Sequence, residues 1–224
     1  MNIGIFGGSF NPIHIGHLIV AEEVFQQRAL SKVIFVPTGI SPHKEPLDLV
    51  DSFHRYQMVI DAISDNNHFE ISDLEIKRLG RSYTVDTIRI FKEIFGKTNN
   101  LFLIVGTDMM NEISAWKDIS TLSQLCSFVM VNRSPTSKNG GALKSSNNVV
   151  SPNGNESDSV RLKKMGIFSD EKVAEMERLQ VAIPPIGISS TEIRDRVYNG
   201  RSIRYLVPRC VEDYIKTHHL YAKR

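Results

Sequence analysis

"NIGIF" (residues 2–6) and the "GGSFNPIHIGH" that follows it (7–17) decide the fold of this chain. The apolar run predicts a buried strand that ends at Phe6. Gly7 and Gly8 then let the backbone approach a ligand closely. The pair Asn11-Pro12 marks a turn, after which a helix is expected from residue 17 to residue 29. The stretch therefore predicts a strand, a loop and a helix in direct succession.

The same alternation continues along the chain and predicts the fold class. Short β-branched and aromatic runs predict further strands at 32–37, 101–106 and 127–132, with additional candidates at 69–76 and 179–184. Amphipathic stretches predict helices at 52–64, 84–95 and 108–124. Alternating strands and helices favour an α/β fold, a Rossmann-like doubly wound parallel sheet with helices on both faces. Such sheets bind ligands at the carboxyl ends of their strands.

Length and composition indicate one domain spanning residues 1–224, with a small helical segment at 200–224 in which Pro208 occupies the first helical position. Residues 134–159 are mostly Ser, Asn, Gly and Pro, so we expect a flexible insertion there, followed by a short helix near 169–178. A mobile lid or partner-binding loop is the alternative.

Charge and cysteine content exclude several classes of protein. The formal net charge is +2, with 27 basic and 25 acidic residues, which indicates neither a nucleic-acid partner nor a membrane surface. The two cysteines, Cys126 and Cys210, are too few for a disulfide framework or a zinc site. We expect free thiols and a cytoplasmic protein. The sequence does not indicate an oligomeric state.

The loop after the first strand has the properties of an anion site. Unpaired N–H groups and the positive end of a helix dipole are expected to face the strand ends. His14 and His17 bring two further donors. The stretch is neither the dinucleotide fingerprint nor a Walker loop. The two histidines could instead bind a metal ion, but the sequence offers no third ligand nearby, so no protein metal site is predicted.

A second segment, "GISSTEIRDR" (187–196), predicts another helix N-terminus. Ser189 and Glu192 form a capping box, and Ser190 and Thr191 place hydroxyls in the first turn. Arg194 shares a face with Thr191, an arrangement that suits a polyphosphate. An ordinary capped surface helix is the alternative for this segment taken alone.

Together, the two segments resemble the adenylyltransferases of the nucleotidyltransferase superfamily, which carry a His-x-Gly-His loop and a late Ile-Ser-Ser-Thr-x-x-Arg helix start. The tRNA synthetases share the first motif, but their second is a Lys-Met-Ser-Lys-Ser loop. Residues 163–166, "KKMG", match that loop poorly, which argues against a synthetase fragment.

Four further motifs are similar to bacterial nicotinate-nucleotide adenylyltransferases: "SPHK" (41–44), "RSYTVDT" (81–87), "GTDMMNEISAW" (106–116) and "GRSIRYLVP" (200–208). Phosphopantetheine adenylyltransferase shares only the first and last motifs of the superfamily, and a nucleotide-binding regulator without turnover is a third possibility. The chain departs from the family in its long insertion and in Lys117, where an aromatic residue is common.

The resemblance implies that nicotinate mononucleotide attacks the α-phosphorus of ATP, with Mg²⁺ as the partner of the ATP phosphates. The implied catalytic residues are His14, His17, Lys44 and Arg194. The implied ATP-binding residues are Gly7, Gly8, Ser9, Phe10, His14, His17, Gly106, Asp108, Ile188, Ser189, Ser190, Thr191 and Arg194. The implied residues for the mononucleotide are Asn11, Lys44, Ser82, Tyr83, Thr84 and Trp116.

The segment 81–87 also predicts a preference for the acid form of the nucleotide. Thr84 is a candidate N-cap, and the free N–H groups of the following turn could receive a ring carboxylate. Asp86 in that turn would repel the carboxylate unless it points elsewhere.

Overall fold

The protein is described here by a computed structural model that covers residues 1–40, 49–96, 98–107, 109, 112–132 and 158–223, with only the backbone at 158 and 159. The strands are β1 (Asn2–Gly8), β2 (Lys32–Pro37), β3 (Phe69–Ile71), β4 (Asn100–Gly106), β5 (Ser127–Asn132) and β6 (Val181–Ala182). The helices are α1 (Ile15–Gln27), α2 (Ser52–Ile63), α3 (Leu74–Lys77), α4 (Thr84–Phe95), α5 (Ile119–Leu125), α6 (Asp158–Met165), α7 (Asp170–Arg178), α8 (Ser190–Tyr198) and α9 (Arg209–Thr217).

The described strands form one parallel sheet in the order β3-β2-β1-β4-β5-β6. The strand β1 lies at the centre, where Ile5 pairs with Ile34 of β2 and with Leu103 of β4. The chain first builds the sheet outward from β1 to β3 and then returns to continue from β4. The strand order therefore reverses between β1 and β4, and an open α/β sheet forms its ligand crevice at such a point.

Helices cover both faces of this sheet, as the alternation predicts. In β2, Val33 and Phe35 pack in one core, and Ile34 and Val36 pack in the other, because successive residues of a strand face opposite sides. The first core receives apolar residues of α1, α2, α8 and α9, and the second receives those of α4, α5 and α7. The predicted Rossmann-like, doubly wound architecture is confirmed.

Several predicted boundaries are wrong, each for a local reason. Helix α1 begins at Ile15 rather than residue 17, with His14 as its N-cap. The helix predicted at 108–124 is instead a 3₁₀ turn at Ile113–Ala115 and the separate helix α5. The extended backbone of Trp116 and the left-handed conformation of Asp118 (φ 48°) separate these two elements.

Other corrections concern the edges of the sheet. The strand predicted at 69–76 ends at Ile71 and is followed by α3, and the strand predicted at 179–184 is only Val181–Ala182. Pro208 is the N-cap of α9 rather than its first helical residue. Helix α7 confirms the helix predicted near 169–178, and Ser169 caps it by accepting a hydrogen bond from the N–H of Lys172 (3.2 Å).

The predicted insertion lies almost wholly outside the described residues, which resume where α6 begins at Asp158. Its flexibility stays a prediction. Among the described helices, none combines the length and the apolar character needed to cross a membrane.

The first core supports the carboxyl end of β1 and gives a stability prediction. The ring of Phe35 is fully buried and lies 5.5, 5.7 and 5.3 Å, between ring centroids, from Phe6, Phe10 and Phe69. We expect Phe35→Ala to lower the free energy of unfolding by about 3–5 kcal/mol, because the cavity cannot collapse among rigid rings. Urea denaturation followed by circular dichroism measures this loss.

The matched control is Phe53→Ala on α2, since that side chain is 64% exposed. We expect the control to stay within about 0.5 kcal/mol of the parent. A loss below about 1 kcal/mol for Phe35→Ala would show that this aromatic cluster does not support the sheet as described.

Candidate active site

The loop between β1 and α1 (residues 9–14, the β1–α1 loop) is held by helix α8. The hydroxyl of Ser190 donates a hydrogen bond to the carbonyl oxygen of Pro12 (2.9 Å), and Nη1 of Arg194 donates to that of Asn11 (3.0 Å). Ser189 caps the helix by accepting from the N–H of Glu192 (3.1 Å), which is one half of the predicted capping box, whereas the carboxylate of Glu192 accepts from Arg196. The two motifs recognised in the sequence are therefore in direct contact.

The buried guanidinium of Arg55 on α2 holds the same loop from the other side. It donates to the carbonyl oxygens of Ser9 (2.7 Å), Val50 (3.0 Å) and Gly39 (3.3 Å). Burial lowers the pKa of Arg55, although an arginine stays protonated in proteins. With its carbonyl oxygens bound by these donors, the loop turns fewer negative dipole ends toward an approaching phosphate.

The side chain of Asn11 adds a third attachment. Its Oδ1 accepts hydrogen bonds from the hydroxyl of Tyr221 (2.8 Å) and from the N–H of Val50 (3.3 Å). Burial raises the pKa of the Tyr221 hydroxyl, which favours its role as a donor. Asn11 is therefore part of the framework of the loop.

The two histidines are stacked at the start of α1. Their ring centroids lie 3.7 Å apart, and Nδ1 of His17 accepts a hydrogen bond from the backbone N–H of His14 (3.2 Å). A neutral His17 therefore carries its proton on Nε2. The ring of Phe10 packs edge-on against His17 with a centroid distance of 5.1 Å. The imidazole of His17 is thus fixed in tautomer and orientation where it lines the pocket.

A pocket of about 310 Å³ opens at the carboxyl ends of β1 and β4. Gly7 and Gly8 line it at the end of β1, and Gly106 lines it at the end of β4. Its walls include Phe6 from the first core and Val105 from the second. The pocket therefore crosses from one face of the sheet to the other at the point where the strand order reverses.

The wall on the second face is formed by Tyr83, Thr84, Trp116 and Lys117. Helix α4 begins at Thr84 with Tyr83 as its N-cap, so the predicted N-cap is wrong by one residue. The side chain of Tyr83 makes no capping hydrogen bond. The wall thus combines two aromatic rings, the N-terminus of a helix and an ammonium group.

The carboxylate of Asp86, in the first turn of α4, is bound by cations. It lies 3.1 Å from Nη1 of Arg89 and 3.2 Å from Nζ of Lys117. These ion pairs offset the charge that would otherwise oppose an anion at the start of the helix. The Lys117 ammonium also lies 4.5 Å from the ring centroid of Tyr83.

One buried carboxyl group, Glu75 of α3, also lines the pocket. The hydroxyl of Thr87 donates a hydrogen bond to its Oε1 (2.7 Å). Burial raises the pKa of Glu75, while the hydrogen bond from Thr87 acts in the opposite direction. The group connects α3 to α4 beneath the wall that carries Tyr83.

The structure brings together only part of the predicted site. The predicted residues that line the pocket are Gly7, Gly8, Ser9, His17, Ser82, Tyr83, Thr84, Gly106 and Trp116. Those that do not line this pocket, and lie in the β1–α1 loop or at the start of helix α8, are Phe10, Asn11, His14, Ile188, Ser189, Ser190, Thr191 and Arg194. Lys44 and Asp108 lie outside the described residues. Contacts of these residues with a nucleotide stay predictions.

Sequence reasoning missed the roles of Arg55, Glu75, Lys117 and Tyr221. A signal was available for Arg55, because it shares the apolar face of α2 with Met58, Val59 and Ala62. A charge within an apolar stripe needs buried partners. The other three acquire their roles from contacts between distant segments, for which the sequence carries no local signal.

Comparison with known proteins identifies the family of this chain. The cytidylyltransferase-like family model matches residues 5–196. A probable nicotinate-nucleotide adenylyltransferase of Thermoanaerobacter sp. is 39% identical over 100% of this chain and 95% of its own length. One from Moorella thermoacetica is 39% identical over 99% and 92%. The chain belongs to the nicotinate-nucleotide adenylyltransferase family within the cytidylyltransferase-like proteins.

Solved structures show the same fold for this adenylyltransferase. A Plasmodium falciparum nicotinic acid mononucleotide adenylyltransferase complexed with NaAD superposes with a TM-score of 0.69 at 20% identity, over 98% of this chain and 97% of that one. The synthetase alternative is also resolved by the structure, because Lys163, Lys164 and Met165 form the last turn of α6 rather than a loop.

The anchored loop of this adenylyltransferase gives a prediction for Arg55. We expect Arg55→Lys to weaken ATP binding by roughly tenfold and to lower the melting temperature by several degrees. A lysine keeps the charge but lacks the planar fork that serves three carbonyl oxygens at once. Isothermal titration calorimetry and differential scanning calorimetry measure the two effects.

The matched control is Arg196→Lys, because Arg196 bonds Glu192 on the surface of α8 and does not reach the loop. We expect ATP affinity in the control to match that of the parent. Unchanged ATP affinity in Arg55→Lys would contradict the role of Arg55 in ordering the loop.

Proposed function

We propose that this protein transfers the adenylyl group of ATP to nicotinate mononucleotide, giving deamido-NAD and pyrophosphate, in the biosynthesis of NAD. One observation carries the proposal. A single pocket joins an anchored glycine loop with an ordered histidine to a wall of two aromatic rings and a helix N-terminus. The first part suits phosphates and the second suits an aromatic ring with a charged substituent.

The reaction needs positioning more than covalent chemistry. A 5′-phosphate oxygen of the mononucleotide attacks the α-phosphorus of ATP, the bond from that phosphorus to the bridging oxygen of the β-phosphate breaks, and pyrophosphate leaves. Negative charge accumulates on the phosphate oxygens along this path. The Nε2–H of His17 is the donor that stabilises that charge. Its fixed orientation means that little reorganisation accompanies the reaction.

We assign the predicted residues that do not line this pocket either to the support of the loop or to the phosphates. The hydroxyl of Ser190 is engaged by Pro12, so we assign the contact with the β- and γ-phosphates to Thr191 and the N–H groups at the start of α8. Arg194 supports the loop and supplies positive charge with its remaining N–H groups. His14 stacks under His17. We assign Lys44 to the phosphates and Asp108 to a ribose hydroxyl.

Mg²⁺ enters this proposal as the partner of the ATP phosphates. Within the described residues, no group of three or more His, Cys, Asp or Glu is arranged to hold a metal ion. Mg²⁺ is commonly bound through substrate phosphates and water rather than by a cage of protein ligands. When bound, it neutralises phosphate charge, and the side chains above orient the reacting groups.

We assign the reaction to the cytoplasm. Cys126 and Cys210 are both free, and burial raises the pKa of the Cys126 thiol to about 12, so that this thiol stays protonated and unreactive. Two unpaired thiols fit a reducing compartment.

The proposed function is tested by incubating the purified protein with ATP, Mg²⁺ and nicotinate mononucleotide. We expect pyrophosphate and deamido-NAD in equal amounts. A coupled phosphate assay measures the pyrophosphate, and chromatography measures the deamido-NAD. A parallel reaction with phosphopantetheine should give no product. Turnover of phosphopantetheine alone, or binding of ATP without any turnover, would overturn the proposal.

The assignment of His17 predicts a defect in the chemical step. We expect His17→Ala to lower kcat by roughly 10²–10³, the usual effect of losing one well-placed donor to a developing charge. Steady-state kinetics with saturating substrates measure kcat. The control is His68→Ala. The ring of His68 stacks on that of Phe25, with 4.5 Å between the ring centroids, and does not line the pocket. A normal kcat in His17→Ala would remove this residue from the mechanism.

The N-terminus of α4, where the side chain of Tyr83 makes no capping hydrogen bond, predicts a preference for the acid mononucleotide. First-turn N–H groups can donate hydrogen bonds to a carboxylate, but they are left unpaired when they face the NH₂ of a carboxamide, which costs about 1–3 kcal/mol. We expect kcat/KM to favour nicotinate over nicotinamide mononucleotide by at least about tenfold. A ratio near one, or a preference for the amide, would contradict this assignment.

A further inference from the structure

Lys117 occupies a distinctive position in the pocket. Among the pocket-lining residues that the structure describes, it is the single lysine or arginine. It directly follows Trp116 and precedes the left-handed Asp118, so this short loop places the indole and the ammonium next to each other on one wall. The steps of adenylyl transfer described above do not use this charge.

The ammonium of Lys117 is held at the pocket by two neighbours. Its Nζ lies 3.2 Å from Oδ2 of Asp86 and 4.5 Å from the ring centroid of Tyr83. Asp86 is shared with Arg89, whose Nη2 lies 3.5 Å from Oδ2 of Asp118. Two cations and two carboxylates therefore form a connected set that joins α4 to the loop carrying Trp116.

The balance of this set leaves Lys117 available to a ligand. Asp86 divides its charge between two cations, and the side chain of Lys117 is 44% exposed. A lysine carries its charge on a flexible stem, so it can turn from a shared carboxylate toward a second anion nearby. The aromatic ring beneath it supports the cation without neutralising it.

The location of Lys117 distinguishes a ring substituent from a phosphate. Tyr83 and Trp116 pack on the second core, whereas the β1–α1 loop packs through Phe10 and Ile13 on the first. The cation therefore lies at the end of the pocket away from the histidines. An anion at this end, beside two aromatic rings, has the chemistry of a carboxylate on an aromatic ring.

We propose that Lys117 is a specificity-determining residue that attracts the ring carboxylate of the acid mononucleotide, in addition to the N–H groups of α4. The assignment rests on the proposed function. The attraction between Lys117 and the carboxylate depends on charge, so salt screens it. The mismatch between the N–H groups of α4 and a carboxamide does not depend on charge and is not screened.

The test compares kcat/KM for nicotinate and nicotinamide mononucleotides, expressed as the acid-to-amide ratio. We expect Lys117→Gln to lower this ratio about three- to tenfold, mainly through KM for the acid form, and Lys117→Arg to retain most of it. The ratio of the parent should fall as NaCl is raised, and that of Lys117→Gln should change much less. A ratio unaltered by Lys117→Gln would overturn the proposal.

A second variant separates charge from structure. Asp86→Asn removes the carboxylate that pairs with Lys117, so the acid-to-amide ratio should rise by about twofold or stay unchanged. If Lys117 only supported the wall, both variants would lower kcat/KM equally for the two mononucleotides. They would also shift the fluorescence of Trp116, which is the only tryptophan in the chain. That result would refute the proposal. An equal loss of kcat/KM for the acid and amide forms would also refute it, because it would indicate that Lys117 binds a phosphate.

The matched control is Lys32→Gln. Lys32 likewise pairs with a carboxylate, Glu70 at 2.9 Å, and lies over an aromatic ring, Phe95 at 5.0 Å, but it does not line the pocket. The acid-to-amide ratio of Lys32→Gln should equal that of the parent. Absence of turnover with either mononucleotide in the parent protein would be a failure of the proposed function, whereas turnover with a ratio insensitive to Lys117 is a failure of this inference alone.

Discussion

The arrangement of the site depends on hydrogen bonds that bind the backbone carbonyl oxygens of one loop. Arg55 from α2, and Arg194 and Ser190 from α8, each donate to an oxygen between Ser9 and Pro12. A loop that presented these oxygens to solvent would repel phosphates. Burying the guanidinium of Arg55 costs desolvation free energy, and burial lowers its pKa. Three hydrogen bonds to carbonyl oxygens offset the desolvation of this guanidinium. These hydrogen bonds also hold the anion site rigid.

The pocket has two chemically different parts because of the order of the strands in the sheet. Because the strand order reverses at β1 and β4, the carboxyl ends of these strands open toward both helical layers. The layer with α1 and α8 supplies the anchored loop and histidines, and the layer with α4 supplies aromatic rings and ions. Two chemically unlike substrates can therefore meet end to end over two glycine-lined strand termini. Neither layer alone carries both sets of groups.

The sequence predicts the sheet well because fully buried parallel strands are apolar runs with little ambiguity, as in β1, β2, β4 and β5. It fails at 108–124, where helix-like periodicity hides the extended Trp116 and the left-handed Asp118. It identifies residues that line the pocket through local motifs, such as His17 and Tyr83. The supporting contacts of Arg55 and Tyr221 join segments distant in sequence, and only the folded chain reveals them.

The hydrogen bond from Tyr221 to Asn11 spans 210 residues and has a consequence for biosynthesis. On the ribosome, all six described strands can pair before Tyr221 has been translated. Such a nascent chain has its sheet but lacks one of the donors that fix the β1–α1 loop. The order of translation thus keeps the nucleotide site incomplete until the chain has reached Tyr221. The scaffold therefore forms before the site is complete, because a side chain 210 residues further along the chain closes the first loop.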